Sequence, residues 1–343
     1  MTRGGADRGG GRKRRVQNFG YDITHGLAAS LPVARRYRRR RFPNKKVLTL
    51  HRSPPNDSRY NGALRPPPRS SSANMLVPRL ILGAAAYLSL AAASLHSAPN
   101  GNCSSHDLQV LSCSPESLTT DACCVESPGG LLLLTQLYSK TAGGPENTWT
   151  IHGLWNDYCN GSYPSSCDAS RNYVDIASTL EEYGQDDLLG YMKEHWRNDP
   201  VITTSNGTDE ELWEHEWSKH GTCMTTLRPS CYTHYTPELE LVQFLHEVVH
   251  LHKQLPTQDY LASCGIVPTS NGTYALADIE ACFTEATGGY LPHIGCTNGS
   301  LSEVWYYHHL AGRVNGGSYV PTNTTYGSNC PKTGIVYPPK PAS

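Results

Sequence analysis

From residue 131 onward, the apolar and polar positions follow two periods. An apolar run over 131–138 and the alternation of Trp149, Ile151 and Gly153 over 149–154 read as paired strands. In the second of them His152 points to the face opposite Trp149 and Ile151. Helical spacing follows over 173–183, 187–197 and 209–220. The longest helix covers 237–255, with Thr236 as its N-cap and Pro237 in its first turn. Its Leu241, Phe244, Leu245, Val248, Leu251 and Leu255 share one face. Two more strand patterns cover 290–296 and 303–310. No internal repeat is visible. This order predicts one α+β domain, a sheet with helices packed on it. A Pro-rich tail over 336–343, with Pro338, Pro339 and Pro341, should be extended and add no domain.

The first 74 residues carry no such period. They are rich in Gly, Pro, Ser and Arg and are expected to be disordered. They hold 18 Lys+Arg against 3 Asp+Glu, whereas the chain from Ser94 holds 10 against 27. The overall balance of −1 therefore hides a basic block and an acidic domain. A nucleic-acid tether, a nuclear address or a transit peptide would each explain the basic block. Residues 75–93 offer a plainer explanation, because they read as a secretory signal peptide. Arg79 supplies the positive start, an apolar run follows, and Ala91 and Ala93 suit cleavage after Ala93. The run is too short for a membrane span. Met75 is then the expected start, and residues 1–74 an over-extended gene model.

The cysteines fit export. All 12 lie at or after Cys103, which implies a disulfide framework. Adjacent Cys123 and Cys124 must pair with different partners. No paired C-x-x-C clusters suggest zinc. Asn102, Asn160, Asn206, Asn271, Asn298 and Asn323 each head an Asn-x-Ser/Thr site, compatible with a glycoprotein.

Candidate chemistry gathers in two stretches. Residues 211–223 read Glu-Leu-Trp-Glu-His-Glu-Trp-Ser-Lys-His-Gly-Thr-Cys. On a helix His215, Glu216, Lys219 and His220 fall within an arc of roughly 140°, with Trp213 and Trp217 at its edge. The plain alternative is a solvated charged face. Residues 149–155 read Trp-Thr-Ile-His-Gly-Leu-Trp. A lone histidine there would more often be a satisfied core residue, but two His-bearing, Trp-flanked segments in one domain argue for a site. Both stretches resemble the active-site segments of the ribonuclease T2 family, without departure at the histidines, Glu216 or Lys219. The resemblance covers about residues 103–330, and the run after Trp155 looks most like the fungal branch.

The resemblance implies an antiparallel sheet with packed helices in a disulfide-rich single domain over 94–335. It implies His152, Glu216 and His220 as catalytic residues, with His215 and Lys219 at the phosphate. It places Trp155, Asp157 and Tyr163 at the base; the plain alternative is that Trp155 is core and Tyr163 a loop residue. Asn156 departs from the Pro that many relatives carry. The implied disulfides are Cys103–Cys124, Cys113–Cys159, Cys123–Cys231, Cys167–Cys223 and Cys296–Cys330, which leaves Cys264–Cys282. The implied activity is metal- and cofactor-independent cleavage of single-stranded RNA, but not DNA, by an exported or vacuolar monomer without lasting membrane association. RNA carries its own nucleophile in the 2′-hydroxyl, so two imidazoles suffice as base and acid. By resemblance His220 is the base and His152 the acid; the residues alone support the pair better than its order. The acidic domain should retain RNA weakly and work best at mildly acidic pH, where His215 is charged.

Other chemistries compete with this reading. His246-Glu-Val-Val-His250 matches the zinc-protease signature H-E-x-x-H, with Glu247 to activate water. The helical wheel places His246 and His250 on the solvent face with Gln243 and Lys253. His215 and His220, at i and i+5, should diverge by roughly 140° and not share a metal. No Gly-rich phosphate loop and no Gly-x-Ser-x-Gly elbow occurs. A secreted binding or effector protein on the same scaffold is the rival from another class.

Overall fold

Four consecutive leucines begin the central strand. In this computed structural model, which describes residues 103–341 apart from 142, 147, 201, 202 and 204–206, β1 spans Leu131–Leu137 and is buried throughout. The segments read as a basic extension and a signal peptide, and the sites Asn102 and Asn206, lie outside the described residues. Burial on both faces explains why β1 reads as a run rather than an alternation. It pairs antiparallel with β2 (Thr150–Asp157) on one edge and β4 (Ser300–Ala311) on the other. The far edge of β4 is shared by β3 (His293–Thr297) and β5 (Ser318–Thr322). β3 starts after Pro292, three residues later than its apolar pattern suggested. β5 has no sequence forecast: it is short, largely exposed and contains Pro321, as an edge strand tolerates.

Among the described residues, six α-helices cover one side of the sheet. α1 (Ile176–Glu182), α2 (Asp186–His195), α3 (Asp209–Lys219) and α4 (Leu239–Gln254) supply Leu180, Met192, Trp217 and Phe244 to a core that includes Leu132, Leu134, Ile151 and Leu154. α5 (Thr257–Ser263) and α6 (Leu276–Ala286) close a second core with Ile294, Val304 and Tyr306. The Pro-rich tail is extended but belongs to that second core. Tyr337 is fully buried, accepts a hydrogen bond from the Trp149 indole at 2.9 Å, and packs on Tyr138.

One helix start differs from its sequence signal. Thr236 does not cap α4; its hydroxyl pairs with that of Tyr183 at 2.7 Å. The chain turns instead at Glu238, with φ 66°, and the helix begins at Leu239. Gln243, expected on the solvent face, is buried and accepts from the Tyr232 hydroxyl at 2.8 Å.

The six disulfides are Cys103–Cys124, Cys113–Cys159, Cys123–Cys231, Cys167–Cys223, Cys264–Cys282 and Cys296–Cys330. Cys113–Cys159 and Cys167–Cys223 hold the two ends of the loop that follows β2. A buried carboxylate does comparable work nearby. Glu126 accepts from the backbone N–H and hydroxyl of both Thr225 and Thr226, at 2.6–3.1 Å, and from Asn156 Nδ2 at 3.1 Å. Asn156 also accepts from Gly130 N–H at 2.7 Å, so it ties β2 to two loops.

Glu126→Ala would leave these donors buried without a partner. A loss of roughly 3–5 kcal/mol in urea unfolding is expected; a loss below about 1 kcal/mol would contradict this role.

Candidate active site

The site forms where β2 loses its alternation. Thr135 pairs with Gly153 and Gln136 with Ile151, so His152 has no partner of its own on β1 and forms a β-bulge. Ile151 and Leu154, three residues apart, therefore enter the same core. The His152 carbonyl accepts from the Trp196 indole at 2.8 Å, and Gly153 exchanges both backbone bonds with the Thr135 hydroxyl at 3.0 Å. The bulge is thus held on both sides.

α3 is set against this bulge by its own ends and its tryptophans. Thr208 and Glu211 form a capping box, with the Thr208 hydroxyl accepting from Glu211 N–H at 3.2 Å and Glu211 accepting from Thr208 N–H at 2.7 Å. Trp213 donates to the Trp196 carbonyl at 2.9 Å and Trp217 to the Arg171 carbonyl at 2.6 Å. Glu216, between the two tryptophans, is driven onto β2. It fits only because Gly153 has no side chain: a Cβ there would overlap the Glu216 carboxylate.

The result is a carboxylate between two imidazoles. Glu216 Oε1 lies 3.4 Å from His152 Nε2, and Glu216 Oε2 lies 4.0 Å from His220 Nε2. The Trp155 indole N–H donates to Glu216 Oε2 at 2.9 Å. Its ring stacks on His220 (5.1 Å, 19°) and meets His152 edge-on (5.2 Å, 81°). His152, Glu216 and His220 are buried, whereas His215 and Lys219 are half-buried. Glu216 Oε1 and His220 Nε2 carry no hydrogen bond from the protein, so both have capacity for a substrate.

Burial governs the charges. It pushes His152 down to about 3, helped by His215 and Lys219, and His220 well below the usual imidazole range. It pushes Glu216 up to about 8, against the opposing pull of Lys219 and the Trp155 hydrogen bond. Both imidazoles are therefore held in the neutral form at neutral pH. His215 is also pushed down to about 4 by burial and Lys219, so mildly acidic pH does not charge it, contrary to expectation.

The expected base residues leave the same strand. Trp155 is half-buried against the histidines, Asp157 is buried, and Tyr163 lies in the following loop, 54% exposed. Burial raises Asp157 to about 7 although Lys219 opposes it. Three aromatic neighbours were not anticipated: Trp305 meets Trp155 edge-on at 5.1 Å, with His293 and Tyr326 beside it. Of these only Trp305 lies on β4, where the alternation carried its signal, and only the pairing of β4 with β1 brings that face beside β2.

The metal question changes with the structure. Donor atoms of His215, Glu216 and His220 lie within 4.8 Å of one another and could address one cation. Helix spacing misled here because α3 ends at Lys219, and His220 is its C-cap with φ −109° and ψ −49°. The H-E-x-x-H histidines behave as expected: His246 and His250 are exposed, while Glu247 points inward and is buried. Of the carbohydrate candidates, Asn160, Asn271, Asn298 and Asn323 are exposed.

Known proteins resemble this chain in sequence and fold. The Ribonuclease T2 family model matches residues 121–326. Ribonuclease T2 of Aspergillus oryzae is 44% identical over 230 residues, covering 67% of this chain and 81% of that protein. Ribonuclease M of Aspergillus phoenicis is 46% identical over 234 residues, covering 67% and 97%. The crystal structure of Actibind, a T2 ribonuclease, matches with a TM-score of 0.63 at 43% identity, over 70% of this chain and 98% of that one.

The buried groups predict how stability follows pH. Above about pH 6.5 the histidines are neutral in both the folded and unfolded states. The folded chain still holds protons on Glu216, Asp157 and Glu247, at about 8, 7 and 7, so stability is lost as pH rises toward 8. Below about pH 4.3 the carboxyls are protonated in both states. The unfolded chain then charges imidazoles that His152, His252 and His308 keep neutral, down to about 3, 4 and 4, so stability is lost as pH falls. The melting temperature should peak between these limits and fall toward pH 8; a rise from pH 6 to 8 would contradict the account.

Proposed function

The chain belongs to the ribonuclease T2 family and is an endoribonuclease, and we propose that it is a secreted, metal-independent enzyme that cleaves single-stranded RNA through a 2′,3′-cyclic phosphate. The observation that carries this reading is the pair of imidazoles 3.4 and 4.0 Å from one buried carboxylate. His220, pushed toward its neutral form by burial, takes the proton of the ribose 2′-hydroxyl. The 2′-oxygen attacks phosphorus, and His152 protonates the departing 5′-oxygen. An anionic phosphate in the site supplies the negative charge that His152 needs to hold that proton. Lys219, with His215, stabilises the charge building on the phosphorane. Glu216 keeps both rings in place and balances their charge. With roles reversed, water opens the cyclic phosphate to a 3′-phosphate. DNA lacks the 2′-hydroxyl and is not cut. Trp155, Asp157 and Tyr163 hold the base at the scissile side.

Six disulfides and the signal-peptide reading of residues 75–93 support export, to the medium or, by the same route, to a vacuole. The mature protein acts as a monomer, glycosylated at some of its Asn-x-Ser/Thr sites and without stable membrane attachment.

Cleavage of a short RNA in excess EDTA, with product ends read by mass, tests the mechanism. A cyclic-phosphate product is expected, with losses of roughly 10²–10⁴-fold in both His152→Ala and His220→Ala. Abolition by EDTA and rescue by zinc would instead favour a cation held by His215, Glu216 and His220.

A further inference from the structure

The loop after β2 is fastened from a distant part of the chain. Tyr158 N–H donates to the Ser162 carbonyl at 2.7 Å, and Gly161 N–H to the Tyr158 carbonyl at 2.8 Å, which makes a tight turn. Gly161 has φ +83°, a left-handed conformation that suits glycine. At this point the Tyr326 hydroxyl donates to the Gly161 carbonyl at 2.5 Å, bridging 165 positions of sequence. Thr325 Oγ1 stands 3.2 Å from where a Gly161 Cβ would be.

Tyr326 also belongs to a corner of aromatic rings. Its ring meets Trp305 at 6.4 Å and 79°, and Trp305 meets Trp155 at 5.1 Å and 65°. Trp305 is itself fixed, since its indole N–H donates to Glu303 Oε2 at 3.0 Å and its ring lies 4.2 Å from that of His293. The Tyr326 phenol lies within the electrostatic reach of Asp157 and Tyr163, and Tyr307 within that of Asp157 and Tyr326. These four side chains therefore lie in one neighbourhood, next to the end of β2. Its outer side faces solvent: Tyr326 is 43% exposed and Tyr163 54% exposed. Near-perpendicular rings leave a corner in which a planar base can lie on one ring and present its edge to the next.

We propose that Tyr326 is a specificity-determining residue of the base site, with Trp305 as the residue that positions it. The Tyr326 ring forms the wall facing Asp157 and Tyr163. Its hydroxyl sets the height of the loop that carries Tyr163, so the distance between Asp157 and the base depends on it. Contact from Tyr326 to the catalytic histidines runs through Trp305 and Trp155, so loss of Tyr326 acts first on base choice. This inference rests on the RNA-cleaving reading above.

The test measures kcat and KM for ApU, CpU, GpU and UpU, and for an analogue with an abasic ribose in the first position. The wild type is compared with Tyr326→Phe, which removes only the hydroxyl, and Tyr326→Ala. Tyr326→Phe should narrow the ratio of kcat/KM between the best and worst base by roughly 2–10-fold, mainly through KM, as expected for one lost hydrogen bond. Tyr326→Ala should narrow it further. Abasic cleavage should stay within about twofold of wild type in both variants. An unchanged ratio in Tyr326→Phe, a wild type equally active on all four bases, or an abasic loss equal to the others would overturn the inference. A folded wild type that cleaves none of the substrates would overturn the RNA-cleaving reading itself, and this inference with it.

Discussion

The site depends on one close approach. α3 can press Glu216 onto β2 only where Gly153 leaves room, and any larger residue there would collide with the carboxylate. From that contact the rest follows. Glu216 is buried, so its carboxyl can be partnered only by groups within reach. Those groups are His152 on the bulge, His220 at the helix cap and the Trp155 indole. The bulge at His152 is the strand's half of the fit. One unpaired residue turns the histidine toward the helix and still leaves Ile151 and Leu154 in the core.

The surrounding framework keeps this fit rigid. The capping box fixes where α3 begins, and Trp213 and Trp217 anchor its inner face through both packing and hydrogen bonds. Glu126 holds the segment after the helix, and Cys167–Cys223 joins that segment to the loop after β2. An active site built on a strand and a helix, rather than on loops, holds its groups to within the tolerance that proton transfer requires. The domain's acidic balance offers no broad basic surface, so the proposed function leaves recognition to a few local groups and stacking.

Much of the architecture was legible because it rests on local pattern. The four leucines of β1, the apolar face of α4 and the chemistry-bearing stretches 149–155 and 211–223 announce themselves in the chain. The sequence-based errors have physical causes. Thr236 looks like a helix cap, but a tertiary bond to Tyr183 takes its hydroxyl. Strict alternation cannot reveal the bulge at His152, and a helical wheel cannot show that His220 lies just past the end of α3. Tyr337 sits in a tail whose prolines suggest an independent segment, but it fills the second core. Trp305 and Tyr326 carried no local signal, because only long-range pairing brings Trp305 beside Trp155, and Tyr326 reaches that corner through Trp305.

The central claim is that the two imidazoles divide the labour, His220 as base and His152 as acid. An RNA whose scissile 5′-oxygen is replaced by sulfur tests it most directly, because a thiolate leaves without being protonated. On this account His152→Ala cleaves the sulfur substrate at close to the wild-type rate while failing on the oxygen one, and His220→Ala fails on both. Rescue of His220→Ala, or an equal response of both variants to sulfur, would contradict it.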